Sequence, residues 1–192
     1  IPQSLEEQTK IGNFLKAVDD KISLQNKSIE KLKRYKTSLM QQLFPQNNQQ
    51  NPPLRFKQDS GDPYPDWQTH PLGEIADKRF QKNLNNHIKK VFTNSANYGI
   101  VNQLNYFDKD IANHNNLDNY YIIHNNDFIY NPRISIFAPV GPLKRNHNNG
   151  LGLVSPLYYL FFFKNEIINL DFIENYFNTP KWHNKKKSVA NY

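Results

Sequence analysis

The sequence contains no cysteine among its 192 residues. Without cysteine there can be no disulfide framework, no cysteine-ligated zinc site and no thiol nucleophile, and this favours an intracellular chain over a small secreted one. Long hydrophobic runs are missing as well. The longest fully apolar run, residues 157–163, is far shorter than the ~20 residues that a membrane helix needs, and the amino end lacks the pattern of a signal peptide. We therefore expect a soluble, cytoplasmic protein.

Apolar residues are scarce, but aromatic ones are not. Only 38% of residues are hydrophobic and 14% are aromatic, so the buried core must depend heavily on Phe and Tyr. That aromatic content argues against disorder, because disordered chains are poor in aromatic residues. Lys and Arg outnumber Asp and Glu by 24 to 17, which gives a net charge of +7. Such a charge permits a polyanionic partner, and nucleic acid is the first candidate.

Residues 4–44 carry a heptad pattern that predicts one long helix. Two series of positions, each repeating every seven residues and offset by four, form the a/d seam of a coiled coil, which only Gln25 and Lys36 interrupt. The apolar seam positions are Ile11, Leu15, Val18, Ile22, Ile29, Leu32, Leu39 and Leu43.

Both ends of this helix are marked. Ser4 and Glu7 have the spacing of a capping box, and Pro45 disfavours helical geometry in the residue before it. About forty residues make a rod of ~60 Å, too long to bury its seam against one small domain. We expect a second helix, from another chain or from sequence that is not present here. A general dimerisation stalk explains the periodicity equally well.

Residues 46–66 have the composition of a linker, rich in Asn, Gln and Pro. Within them, Asn51-Pro52-Pro53-Leu54 superficially resembles the motif with which amino-methyltransferases hold a flipped adenine. Leu54 replaces the aromatic residue of that motif, and no glycine-rich loop for a methyl donor is found. The segment therefore predicts no methyltransferase activity.

Other catalytic motifs are also absent from the sequence. Pro65-Asp66 can open a metal-dependent nuclease motif, but no acidic residue downstream is followed two places later by Lys. The six His residues lack the spacing of a helical zinc site, and neither a P-loop nor a nucleophile elbow is present. We expect a chain without catalytic activity, metal or cofactor of its own.

Residues 67–192 predict a compact domain of mixed helices and strands, so that the fold class of the whole chain is α+β. We expect short helices at 71–76 and 170–177, strands at 120–123 and 128–130 around a turn, and a buried strand at 154–163. The domain boundaries are therefore 1–45 for the helix, 46–66 for the linker and 67–192 for the globular domain.

The domain contains a stretch without acidic residues, from Phe128 to Asn165. It carries Arg133, Lys144, Arg145 and His147 and a polar loop that begins at Asn146. Arg binds guanine and Asn binds adenine with two hydrogen bonds each, and cations bind phosphates. A second basic cluster, Lys181 with Lys185, Lys186 and Lys187, surrounds Trp182 and His183. A solvated basic loop and a solvated helix end are the simpler interpretations.

The order of these segments resembles one known family. The motifs are Ile1-Pro2-Gln3-Ser4-Leu5-Glu6-Glu7-Gln8-Thr9-Lys10-Ile11, Trp67, Pro71-Leu72-Gly73-Glu74, Gly99-Ile100-Val101, Asp127-Phe128-Ile129-Tyr130-Asn131-Pro132-Arg133 and Val154-Ser155-Pro156-Leu157-Tyr158. In this order they resemble the spacer helix and target recognition domain of type I restriction-modification specificity subunits.

This resemblance implies a non-catalytic, sequence-specific DNA-binding subunit. In that family two recognition domains each read half of a split site in double-stranded DNA, and two antiparallel helices set the distance between them. The implied partners are modification subunits, which bind S-adenosylmethionine, and restriction subunits, which use ATP and Mg²⁺. This chain has only one domain and one helix, so it is either part of a longer subunit or a half-subunit that pairs with a second copy.

From this resemblance and the acid-free stretch we expect DNA contacts from a defined set of residues. The first group is Arg133, Lys144, Arg145, Asn146 and His147, and the second is Arg79, Lys82, Asn83, Tyr98 and Asn131. Tyr130 and Tyr158 are expected in the core. The alternative function is a coiled-coil adaptor or dimerisation protein whose globular end binds another protein.

Overall fold

The computed structural model describes residues 2–106, 117–136, 138–164 and 168–190. The chain divides into two compact units, one formed by residues 1–45 and 51–64 and the other by residues 46–50 and 65–192. Residues of the predicted linker thus occur in both units. The fold is a long helix followed by a β-rich domain, which confirms the α+β class.

The first unit is dominated by helix α1, Leu5–Leu43. Ser4 caps its start, since its side-chain oxygen accepts a hydrogen bond from the backbone N–H of Glu7 at 3.4 Å. At the other end Phe44 leaves helical geometry with φ −120° and ψ 143°, directly before Pro45. The helix and both of its predicted ends are therefore confirmed.

The apolar seam of α1 faces solvent within this chain. No residue of α1 is buried, and Ile22 and Leu32 expose 53% and 64% of their surface. Pairing of this seam with a second helix stays a prediction. None of the helices in the described ranges is long and apolar enough to cross a membrane.

Residues 51–64 fold back as a short turn in the same unit. The N–H of Leu54 donates to the carbonyl of Gln42 at 2.9 Å, which satisfies one of the last carbonyls of the helix. Lys57 and Pro63 then form an isolated antiparallel bridge around Gly61, whose φ of +89° suits glycine.

The second unit contains eight strands and four short helices in its described residues. The strands are β1 (Ala76–Lys78), β2 (Phe92–Ser95), β3 (Gly99–Asn102), β4 (Tyr121–Ile123), β5 (Phe128–Tyr130), β6 (Leu143–Arg145), β7 (Gly152–Val154) and β8 (Tyr159–Phe163). The helices are α2 (Leu72–Ile75), α3 (Gln103–Tyr106), α4 (Leu170–Tyr176) and α5 (Pro180–Ala190).

The strands form one main sheet and two smaller ones. The main sheet has the order β1-β8-β5-β6 and is antiparallel throughout, while β2 pairs with β3 and β4 pairs with β7. The strands predicted at 120–123 and 128–130 exist, but they belong to different sheets. The turn between them therefore joins two sheets and does not close a hairpin.

The predicted strand at 154–163 is wrong in its extent. The chain forms two strands there, β7 and β8, and a turn separates them. In this turn the Oγ of Ser155 accepts from the N–H of Leu157 at 3.3 Å and the carbonyl of Ser155 accepts from Tyr158 at 3.1 Å. Pro156, which lies between the two strands, has no backbone N–H to donate to a neighbouring strand.

The core has two parts, one on each face of β5, because successive side chains of a strand point to opposite faces. Ile129 packs in one cluster with Phe92, Ile100, Ile123, Val154 and Leu160, and Tyr158 lies partly buried against it. Phe128 packs on the other face with Ala76, Phe161 and Phe177. Helices α4 and α5 cover this second face through Ile173 and Trp182, and the helix predicted at 170–177 is confirmed as α4.

Candidate nucleic-acid interface

A twelve-residue loop, residues 131–142, connects β5 to β6 and carries Arg133 at an exposed position. The side-chain oxygen of Asn131 accepts from the N–H of Arg133 at 2.9 Å, and this bond fixes the start of the loop. Gly141 closes it with a φ of +76°, where a Cβ atom would lie 2.2 Å from the carbonyl oxygen of Asn131. The two ends of the loop therefore lie close together, and Arg133 is exposed without an ion pair to any described carboxylate.

Arg145 lies at the end of β6, and its guanidinium is bound within the protein. Only 12% of its side chain is exposed, and Nη1 lies 2.5 Å from Oδ1 of Asp171 and 3.7 Å from Oε2 of Glu174. Its Nε and Nη2 both donate to Oδ1 of Asn126, at 2.9 and 2.6 Å. Contact with a base would require these bonds to be exchanged, so we interpret Arg145 as a positioning residue.

The loop after β6 contains one buried and one exposed candidate. Asn146 is fully buried, donates to the carbonyl of His124 at 2.8 Å and accepts from the N–H of Asn148 at 3.1 Å. In this conformation the side chain of Asn146 is not accessible to a base. His147 is exposed, but its Nε2 lies 3.0 Å from both carboxylate oxygens of Glu174.

The residues predicted near β1 also serve the fold. Arg79 forms a two-point pair with Asp127, with Nε 2.7 Å from Oδ2 and Nη2 donating to Oδ1 at 2.9 Å, and its guanidinium lies 4.4 Å from the ring centroid of Phe162. Asn83 is fully buried and bonded to the backbone of Ile88 in both directions, so its side chain is not accessible to a base in this conformation either.

Lys82 and Tyr98 remain accessible. The Nζ of Lys82 donates to Oδ1 of Asn119 at 3.3 Å on the surface. Tyr98 lies at the β2–β3 turn with 72% of its surface exposed. Beside it a hollow of about 560 Å³ is lined in part by Lys90 and Asn102, two residues that belong to no motif found in the sequence.

Two basic clusters that are distant in sequence meet at His183 of α5. Burial lowers the pKa of His183, and the charges of Lys144, Lys187 and Lys186 lower it further, whereas a hydrogen bond with the backbone of Phe177 acts in the opposite direction. Lys144 belongs to the acid-free stretch and the other two lysines to the carboxyl-terminal cluster. Lys144 and His183 line one small cleft, and Lys186 and Lys187 follow His183 on α5. We call Lys144, His183, Lys186 and Lys187 the β6–α5 surface.

This surface adjoins the base of the loop that carries Arg133. A small cleft of about 100 Å³ is lined by residues 138–144 on one side and by Trp182 and His183 on the other. A phosphate at this surface would raise the pKa of His183 towards its ordinary value, because an anion favours the charged imidazole. The arrangement is suited to hold a polyanion.

No group of three or more His, Asp or Glu side chains that could hold a metal ion is found in the described ranges. The expectation that cofactors belong to partner subunits stays a prediction. Comparison with protein-family models and with curated protein sequences finds no match for this chain. The family resemblance therefore depends only on the ordered motifs, and its functional implications are proposals.

Proposed function

We propose that this chain is a sequence-specific DNA-binding subunit of a type I restriction-modification complex. It would direct methylation and cleavage that partner subunits perform. The observation that carries this proposal is the meeting of two basic clusters on the β6–α5 surface, beside the closed loop of Arg133. Neither cluster alone distinguishes a binding surface from solvated charge.

In this proposal the loop and the surface have different roles. Arg133 is exposed and reads a base edge, for which guanine gives the best two-point geometry. Lys144 and Lys187 hold phosphates and so fix the register of the domain on the duplex. Arg79 and Arg145 act indirectly, because their ion pairs shape the elements that present these groups.

Helix α1 has the role of a spacer. Its exposed seam pairs with a second helix, from another copy or from further sequence, and the paired rods set the distance between two recognition domains. Modification subunits, which bind S-adenosylmethionine, and restriction subunits, which use ATP and Mg²⁺, would assemble around them.

A binding selection tests DNA recognition directly. A duplex pool with a randomised centre is incubated with the chain at low salt, and the bound fraction is sequenced. We expect the wild-type chain to enrich one short motif, and R133A to lose the preference at one position at a cost of about 1–3 kcal/mol. K57A, which removes an exposed cation from the other unit, serves as the control and should leave the motif unchanged.

A matched pair of substitutions tests the seam. Leu32 lies on the seam and Leu24 lies off it, and their exposed fractions are nearly equal, 64% and 66%. We expect L32D to reduce the mass measured by light scattering after size exclusion, and L24D to leave it unchanged. A wild-type chain that is strictly monomeric would refute pairing between two copies.

The second candidate function is a coiled-coil adaptor whose globular end binds protein. Two apolar side chains in the β5–β6 loop favour it, since Ile134 and Ile136 expose 69% and 95% of their surface, and such exposed patches mark protein contacts. Salt separates the two candidates. DNA binding through several phosphates weakens steeply as salt rises, whereas a chain that binds no duplex even at low salt would be an adaptor.

A further inference from the structure

A cavity of about 400 Å³ lies between the main sheet and helix α5, and of the residues of the β6–α5 surface it shares Lys186. Its walls are mostly apolar and come from six elements of the second unit: α2, β1, β5, β6, β8 and α5. The apolar lining includes Leu72, Ala76, Leu143, Phe161 and Trp182. This size and lining are typical of pockets for small ligands, which run from about 300 to 1,000 Å³.

Cationic groups stand at the border of this cavity. Lys78, Lys185 and Lys186 all contribute to its lining. The Nζ of Lys186 lies 2.8 Å from the ring centroid of Tyr130, whose hydroxyl is turned away and donates to the carbonyl of Val140 at 3.2 Å. Lys186 therefore places its ammonium group against an aromatic face inside an apolar space.

The cavity has little negative charge to balance these lysines. Asp77 is the one carboxylate in its described lining, and Oδ1 of Asp77 is 2.9 Å from the Nζ of Lys164. Burial lowers the pKa of Lys186 to about 8. An anion in the cavity would remove this penalty by restoring a partner to the charged amine.

We propose that this cavity binds a small amphiphilic anion, a carboxylate attached to a hydrocarbon or aromatic body. The apolar body packs on Phe161 and Trp182, and the carboxylate pairs with Lys186 at the border. The proposal does not depend on DNA recognition.

The lining discriminates between ligand classes. A nucleic-acid phosphate has no apolar body to fill the walls, and a neutral hydrocarbon leaves Lys186 without an anion. A cationic amphiphile is repelled by three lysines. Only a ligand with both an apolar body and a negative charge satisfies the walls and the border together.

The fluorescence of Trp182 measures occupancy. The chain has two tryptophans, so W67F leaves Trp182 as the only one, and it lines the cavity. Decanoate, used below its micelle concentration, should change the emission of W67F in a saturable way. We expect decanol to bind at least tenfold more weakly and decyltrimethylammonium to give no saturable change.

Lysine substitutions in the W67F background identify the group that binds the charge. K186M should weaken decanoate binding at least fivefold and remove the preference over decanol. K187M changes an exposed lysine of the same helix and should bind decanoate as W67F does. Equal affinities of K186M and K187M, or no saturable change with decanoate in W67F, would overturn the proposal.

A second pair covers the case in which K186M does not fold. Lys185 and Lys187 are both exposed on α5, but only Lys185 lines the cavity. K185E should weaken decanoate binding severalfold and K187E should change it less than twofold. Equal effects of these two substitutions would also overturn the proposal.

Discussion

Two sets of cations in the same domain have opposite surroundings. Arg79 and Arg145 are largely buried; Arg79 is held by the carboxylate of Asp127, and Arg145 by carboxylate and amide oxygens. Arg133 and Lys187 lie exposed and have no carboxylate partner among the described residues. All four have the same formal charge. A cation is free to bind a polyanion only if it is exposed and has no carboxylate partner. Its residue type alone does not decide this.

The partners of the buried cations come from distant parts of the chain. Asp127 lies 48 residues after Arg79, and Asp171 lies 26 residues after Arg145. A stretch that is free of acidic residues in sequence is therefore not free of them in space. Among the described residues, positive charge remains without a carboxylate partner at the β6–α5 surface and in the Arg133 loop.

The largest effect is expected at the most buried carboxylate. Asp127 is 1% exposed, pairs with Arg79 and accepts from the N–H of His124 at 2.8 Å. D127A leaves both groups unsatisfied, and we expect the free energy of unfolding to fall by about 3 kcal/mol, since removing one partner of a buried pair is costly. Denaturant unfolding measures this loss.

D127N is the matched control for that measurement. The amide oxygen still accepts from His124, but the charge that pairs with Arg79 is gone, so its loss should lie between those of the wild type and D127A. If both variants unfold like the wild type, the Arg79 pair does not stabilise the fold, and Arg79 is as free as Arg133.

A smaller effect is expected at Arg145. R145M removes three hydrogen bonds to Asn126 and Asp171, but Asp171 is 80% exposed and returns to solvent, so we expect a loss of about 1.5 kcal/mol. R133M, the same substitution at an exposed arginine, should change the free energy of unfolding by less than about 0.5 kcal/mol. Equal losses in the two variants would remove the distinction between paired and exposed arginines.

The elements that depend on local pattern could be predicted from sequence. Helix α1 shows its heptads, its Ser4 cap and its terminal Pro45, and α4 shows apolar residues at helical spacing, because these signals lie within one element. The strands of three to five residues carry too little alternation to set their pairing. Ser155-Pro156 interrupts an apolar run whose residue types all favour a strand.

The candidate site could be predicted only in part. Residue types pointed to Arg133 and Lys144, and both lie on accessible elements. Asn is the residue type that binds adenine, but the side chains of Asn146 and Asn83 are buried. Both form hydrogen bonds with the backbone and so stabilise loops. Which asparagine stabilises a loop and which faces solvent depends on tertiary contacts that no short motif records.

The half-buried Lys144 and the exposed Lys187 provide a test with a modest effect. K144A and K187A should leave the free energy of unfolding within about 0.5 kcal/mol of the wild type, because neither lysine has an ion pair with a described carboxylate. Each should reduce the slope of log affinity for duplex DNA against log salt concentration by about 1. A slope that stays unchanged in both variants would mean that the β6–α5 surface does not hold phosphates.

The smallest effect concerns Lys186, which has properties of both sets: it is half-buried, yet no described carboxylate pairs with it. Its pKa falls from 10.5 to about 8 on folding, so the charged amine costs stability below pH 8, and stability rises between pH 8 and 10.5 as the folded state loses its proton first. Reduced for the exposed part of the side chain, the cost is on the order of 1 kcal/mol or less.

K186M should therefore unfold at a higher temperature than the wild type at pH 7, and this gain should shrink as the pH approaches 10. K187M, which removes an exposed amine, should show no such dependence on pH. If the increase in unfolding temperature of K186M is the same at every pH, the increase comes from packing and not from the lost charge.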